Sequence, residues 1–439
     1  MRIRTIIALF MLLALALPAV ARAQDDSDGV FVEWIDGRAQ GGKLRFITQA
    51  EVCIVQKVNP DDATGTEVRE RLNELVSITW GRGVGYSTGV DKLPMQYLHD
   101  GTRFRGRIKA MTDSGVQIQT RWSSPTPLGG DDSKRRPFNV PVEQVRFIAL
   151  QEAGVEAASS PDTIDRLING PTPDDDVLVM THGESVALIH CIVLSVDERR
   201  VQVLWNNEDF KLDRSRVWGV RFAELPGSTP DAATGGGFLA IGPLGDERIL
   251  GKSFLRNATD NANDRDININ RPDGSRWTVN LSFVASIRFS SARVQSLTAL
   301  SIAKAESVSL MGRPWPVRIG RSVTDLPLRL ANRIYRDGIG CHAPARLTFD
   351  LPEPFELLVV TVGVDASAVP AGSVVFRVFD GDGKQLAESP MMNPGASSKR
   401  MVVKISGAKR IVLVADPDVR LDVGDHADWA EPRLVRPAK

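Results

Sequence analysis

Apolar residues along this chain fall in short alternating runs rather than in helical stripes: Val116-Gln-Ile118, Val201-Gln-Val203 and Val374-Val-Phe376-Arg-Val378 are representative. A period of two puts one face of a strand on a core and the other in water. The runs are bounded by Gly, Asp, Asn and Pro, the residues of tight turns. Spacings of three and four are scarce, so the pattern predicts an all-β chain.

A second, longer regularity lies on top of the alternation. The motif apolar-x-x-apolar-x-apolar occurs at Leu75/Ile78/Trp80, Val145/Ile148/Leu150, Val217/Val220/Phe222 and Val284/Ile287/Phe289, with first positions 70, 72 and 67 residues apart. In the last three copies another apolar residue sits five positions earlier, at Val140, Leu212 and Val279. This predicts four small units of about five strands each, resembling SH3-like barrels, because so short a unit buries its apolar face by curling its sheet. The expected division is two units in 24–155, a third in 177–224, a fourth in 238–290 and a linker at 291–302, with a further domain at 303–439.

The first residues carry a different signal. Arg2 and Arg4 precede the apolar run Ile6 to Val20, which Pro18 interrupts, and Ala21-Arg22-Ala23 follows as a small-x-small cleavage site. Residues 1–23 are therefore expected to be a signal peptide cleaved after Ala23, with the membrane met only as the export route and the product secreted, periplasmic or at the cell surface. The run is shorter than the ~20 residues that span a bilayer.

Without those residues 51 basic side chains face 54 acidic ones, which gives no electrostatic footprint for nucleic acid. Cys53, Cys191 and Cys341 are too few and too far apart for a disulfide framework. The spacing leaves one disulfide or three buried thiols open, and stability is expected to come from apolar cores.

From about Ala303 to Leu434 the chain resembles the NPCBM family of carbohydrate-binding modules. The residues that carry the resemblance are Ile334-Tyr335, Gly338-Ile-Gly340-Cys341-His342-Ala343, Leu347-Thr-Phe349-Asp350-Leu351, Val362-Gly363-Val364-Asp365, Gly372-Ser373, Gly383-Lys384, Gly407-Ala408 and Asp425-His426-Ala427-Asp428-Trp429-Ala430. Where the family commonly adds an acidic residue after the position of Asp365, this chain has Ala366. The resemblance implies a jelly-roll β-sandwich, similar to galactose-binding-like domains, that binds a glycan without cleaving it.

Sugar recognition needs a flat ring to stack on and a few polar groups for hydroxyls. Asp425, His426, Asp428 and Trp429 bring both types together, with His342 as a further candidate, so these five are the expected carbohydrate-binding residues. In an extended segment Asp425, Ala427 and Trp429 face one way and His426 and Asp428 the other. No cofactor is required; calcium is a conceivable structural companion, with Asp337, Asp350, Asp365, Asp380 and Asp382 as candidate oxygen ligands.

Signatures of catalysis are weak. Gly85-Tyr86-Ser87-Thr88-Gly89 satisfies the Gly-x-Ser-x-Gly pattern, yet Pro94 follows and no helical run does. Asp264-Arg-Asp266-Ile-Asn268 lacks the Gly and Glu of a calcium loop, and the five histidines show no metal-ligand spacing. The leading expectation is an exported, non-catalytic carbohydrate-binding protein. The rivals are an envelope structural or assembly protein that uses the sandwich for contacts with other envelope proteins, and, more remotely, a hydrolase built on the N-terminal region.

Overall fold

The computed structural model describes residues 29–56, 65–80, 93–122, 137–151, 167–182, 185–224, 236–242, 247–257, 266–307, 315–331, 333–368, 372–417 and 424–438. The expected signal peptide, Ser87 and Asp264 lie outside these residues.

The four motif copies mark four closing strands: Leu75–Trp80, Val145–Ala149, Val217–Arg221 and Val284–Ser290. Each follows one turn of 3-10 helix, at Leu72–Glu74, Val142–Gln144, Arg214–Arg216 and Leu281–Phe283. Each pairs antiparallel with the first strand of its own unit and skips one residue just after the first motif position. Trp34 and Glu33 face Leu75 and Ser77, Leu98 and Tyr97 face Val145 and Phe147, Met180 and Val179 face Val217 and Gly219, and Ile241 and Ala240 face Val284 and Ser286.

That skip explains the motif's spacing. In a regular strand, inward positions recur at i+2; one bulged residue moves the next of them to i+3 and restores the period after it. Leu75, Ile78, Val145, Ile148, Val217, Val220, Val284 and Ile287 are accordingly all buried in one apolar core.

Closing strands also pair with each other, Ile78 opposite Ile287 and Ile148 opposite Val220. In both cases the second motif position meets its own equivalent, so each junction is a local pseudo-twofold that leaves neither closing strand as an open edge. Units two and four are further joined by an aromatic cluster in which Trp122 stacks on Trp277 at 5.9 Å. All three cysteines are free and buried.

The C-terminal part is a sandwich of two antiparallel sheets. One orders the strands Arg318–Ile319, Gly338–His342, His426–Val435, Leu357–Val364 and Lys399–Lys404; the other orders Lys304–Ser307, Ala345–Asp350, Arg410–Pro417, Val374–Asp380 and Gln385–Glu388. Leu347, Phe349, Val374, Phe376, Val378, Val403, Ile405, Ile411 and Leu413 meet between them. The chain is thus all-β, with barrel-type units preceding a jelly-roll sandwich.

The linker expected at 291–302 is corrected by the structure. Val294–Ser296 pairs with the last strand, and Leu297 is buried in the sandwich core. Short apolar stretches that complete another element's sheet carry no alternation of their own, which is why the segment reads as a connector.

Charged groups fasten the sandwich to the first and fourth units. Buried Glu33 forms ion pairs with Arg433 at 2.5 Å and with Arg400 at 2.9 Å. Glu431 pairs with Arg288 and, at 3.5 Å, with Arg333. Burial opposes the charge on Glu431, but Arg288 and then Arg333 hold its carboxyl down at about 2. Removing one member of such a set strands buried opposite charge, at a cost of about 3–5 kcal/mol. Glu33→Ala is expected to lower the stability of the full chain by about 3 kcal/mol in urea unfolding; a loss below ~1 kcal/mol would show the pairs to be no stronger than surface ones.

Candidate functional site

The strand Gly338–His342 runs antiparallel to the last strand, with His342 opposite His426, Cys341 opposite Ala427, Gly340 opposite Asp428 and Ile339 opposite Trp429. Period two sends Cys341, Ala427, Ile339 and Trp429 into the core and leaves His342, His426 and Asp428 on the outer face. The sequence correctly separates these two sets.

The outer face is not bare, however. The segment from Arg318 through the hairpin Leu328–Leu330/Arg333–Tyr335 lies across it. Gly340 makes that possible: a Cβ there would stand 2.4 Å from the Arg321 carbonyl oxygen. On the other side of Asp428, a Cβ on Gly363 would meet the Leu330 side chain at 3.0 Å. Asp428 is therefore covered and fully buried.

Beneath this cover Asp428 meets Asp365. Asp365 accepts hydrogen bonds from the Arg329 amide at 3.0 Å, the Ser367 amide at 2.8 Å and the Ser367 hydroxyl. Burial opposes its charge, but the bonds from Asp428, Ser367 and Arg329 outweigh burial and hold it below the ordinary carboxylate range. Burial, and then the Asp365 carboxylate it bonds to, push Asp428 well above that range. That shift favours the neutral carboxyl on Asp428, set against the Asp365 carboxylate beneath the cover.

Three of the five expected sugar ligands are accordingly placed elsewhere than the sequence suggests. Trp429 is 0% exposed and packs edge-on against Phe376 at 5.0 Å, so its ring offers no face to a ligand. Its environment is dry enough that burial, and then Asp428, push the Cys341 thiol up to about 12. Asp428 is buried as described. Asp425 is buried too; its carboxylate accepts from the Ser373 amide at 2.7 Å and its carbonyl from the Ala343 amide at 2.9 Å, which fixes the loop rather than facing outward.

The two histidines converge. Their rings lie 5.5 Å apart, and a ring that the sequence reading overlooked completes the group: Trp315 stacks on His342 at 5.0 Å with 6° between planes, and lies 6.1 Å from His426. His342 is 3% exposed and Trp315 41%. The buried imidazole thus backs the indole and fixes its orientation, leaving much of the ring to solvent. His342 Nδ1 lies 2.7 Å from the Ala343 carbonyl oxygen. Burial, and then His342, lower the pKa of His426. Trp315 sits between Pro314 and Pro316 outside any alternating run; that prolines restrict an aromatic residue there is the signal that could have found it.

The candidate calcium ligands are scattered. Asp337 accepts from Ser296 at 2.6 Å and from Thr298, Asp350 pairs with Arg410 at 2.7 Å, Asp365 holds its own turn, and Asp380 accepts from the Asp382 and Lys384 amides. Among the described residues no three His, Cys, Asp or Glu side chains gather as a metal site.

Comparison with known proteins agrees with the placement of this domain. Residues 294–435 match the model of the NPCBM/NEW2 domain family. Alpha-1,3-galactosidase B of Akkermansia muciniphila is 32% identical over 120 residues, which are 26% of this chain and 15% of that protein. Among solved structures, the CBM51 of Clostridium perfringens GH95 in complex with methyl-galactose is 21% identical, with 32% of this chain and 99% of that chain covered and a TM-score of 0.30. The CBM51-2 and INT domains of Clostridium perfringens ZmpB, in complex with GlcNAc, are 25% identical over 44% of this chain and 42% of that one, also with a TM-score of 0.30.

The Asp365–Asp428 pair sets a pH dependence. The folded chain keeps on Asp428 a proton that the unfolded chain releases above pH ~4, so the stabilisation it brings is present in acid and lost as pH rises through the raised folded value. Asp428→Asn keeps a donor that does not titrate. Its stability relative to the wild type is expected to climb between pH 4 and pH 8, by about 1–2 kcal/mol. Asp365→Asn, which loses a charged acceptor, should be destabilised by about 1–3 kcal/mol at pH 7. Parallel pH profiles for Asp428→Asn and wild type would show that Asp428 is ionised in the fold.

Proposed function

We propose that this chain is an exported carbohydrate-binding protein that holds a neutral sugar of galactose type, without cleaving it, on the exposed indole of Trp315 with His342 and His426 beside it. The observation that carries this reading is the clamped ring: an indole 41% exposed yet stacked flat on a buried imidazole. A pyranose presents an apolar C–H face that packs on such a ring, and its hydroxyls need nearby groups that both donate and accept, which the imidazole of His426, its pKa lowered by burial, supplies.

Support comes from the domain match at residues 294–435 and from the galactosidase relative, of which the matching stretch is about one seventh. A segment of that share fits a binding module better than a catalytic centre. Export rests on the N-terminal pattern of basic, apolar and small residues.

Titration calorimetry of the full chain with methyl galactoside tests the site. Binding is expected, with an affinity at least about tenfold weaker in Trp315→Ala, since ring stacking is worth on the order of 1 kcal/mol beyond the area it buries. Trp429→Ala should instead unfold the domain, as removal of a core aromatic costs about 3–5 kcal/mol. Undiminished affinity in Trp315→Ala would move the site elsewhere, and hydrolysis of a chromogenic galactoside lost in Ser87→Ala would make the chain an enzyme.

A further inference from the structure

The four units share one strand register. Two residues past the first motif position, the closing strand pairs with the first strand of the unit, which pairs in turn with the second. This row runs from Ser77 through Glu33 to Ala39 in unit one and from Phe147 through Tyr97 to Arg103 in unit two. It runs from Gly219 through Val179 to Leu188 in unit three and from Ser286 through Ala240 to Arg248 in unit four. Ala39, Arg103, Leu188 and Arg248 are therefore one position repeated four times.

Units two and four are joined at it. Their second strands, Arg103–Arg105 and Glu247–Gly251, meet with Arg103 directly opposite Arg248. The Leu250 amide donates to the Thr102 hydroxyl at 3.0 Å, and the Arg105 amide to Glu247 at 2.9 Å. The junction is a local twofold in which each edge meets its own equivalent. In unit one the sandwich occupies the turn that leads into Ala39: Arg400 donates to the Gly37 carbonyl at 3.4 Å, and a Cβ on Gly37 would stand 2.5 Å from the Val402 side chain.

Unit three has no such neighbour at this position. Its second strand, Ser185–Val196, pairs with Asp176–His182 on one side, and on the other no strand among the described residues pairs with it before Ile192. Period two sends Ile189, Cys191 and Val193 toward the core and Leu188, His190 and Ile192 outward. Leu188 is 47% exposed and Ile192 50%, although Val179, next to Leu188 in the row, is fully buried. The apolar row thus ends at a bare edge, and unpaired amides and carbonyls beside apolar side chains are a template for another strand.

We propose that two copies of this chain associate through this edge, with Leu188 of one copy opposite Leu188 of the other, as Arg103 lies opposite Arg248 within the chain. The occupant is a second copy because the use that the chain itself makes of this edge, in units two and four, sets like against like. Leucines in place of guanidiniums as the facing pair remove the like-charge repulsion that the internal junction has to overcome. Pairing with unit one of another copy would instead be heterologous and would run on into open filaments. Ala39, with Gly41 and Gly42 after it, also offers little side chain for Leu188 to pack on.

Sedimentation velocity of the full chain, from micromolar to submillimolar concentration, tests this. A dimer is expected whose share grows with concentration. Leu188→Lys sets like charges face to face on the edge and should raise the dissociation constant at least about tenfold. Leu188→Cys checks the register, since facing Cβ atoms lie about 4.5–5.5 Å apart, close to what a disulfide needs. Mild oxidation in air should link its copies faster than those of Met391→Cys, an exposed position on the sandwich, while the chain's own three cysteines are buried. A monomer at every concentration, species that grow beyond the dimer, a Leu188→Lys dimer as tight as wild type, or Leu188→Cys linked no faster than Met391→Cys would overturn the proposal.

Discussion

Chain can lie directly on the outer face of the sandwich sheet because two positions there carry no side chain. Gly340 and Gly363 flank Asp428 on the neighbouring strands, and the segment from Arg318 to Tyr335 settles over all three. The consequences spread outward from that contact. Asp428 is sealed from water, which pushes its carboxyl above the ordinary range; Asp365 gathers the donors that anchor the Arg329 and Ser367 turns; and the start of the overlying segment sets Trp315 against His342 at the margin of the cover. A side chain at position 340 would have to displace the Arg321 carbonyl, and with it the position of the exposed ring.

How far this was legible in the sequence follows from what periodicity encodes. Alternation is a local signal: it separates His426 and Asp428 from Ala427 and Trp429, and the structure has that separation. It does not say what covers an outward face. Asp428 therefore looked like a ligand when it is a buried carboxyl, and Trp429 looked like a platform because aromatic residues beside carboxylates mark both sugar sites and tight cores. Trp315 was missed for the converse reason. It belongs to no strand, and only the long-range stacking on His342 gives it a role.

The N-terminal units show how an apparent defect in a pattern can be informative. An apolar spacing of three followed by two fits neither strand nor helix, and it recurs because a residue is bulged at the same place in each closing strand, at Val76, Arg146, Trp218 and Ala285. What the sequence could not supply was how the units combine. The pairing of Ile78 with Ile287 and of Ile148 with Val220 joins the first unit to the fourth and the second to the third, an order that no local spacing records.

Charge pairing then decides how the sandwich sits on those units. Glu33 and Glu431 lie at the junction, and between them they engage Arg400, Arg433, Arg288 and Arg333. Buried pairs of this kind contribute little net stability over an apolar contact, since desolvation consumes most of the attraction, but they penalise any displacement that parts them. Their effect is orientation.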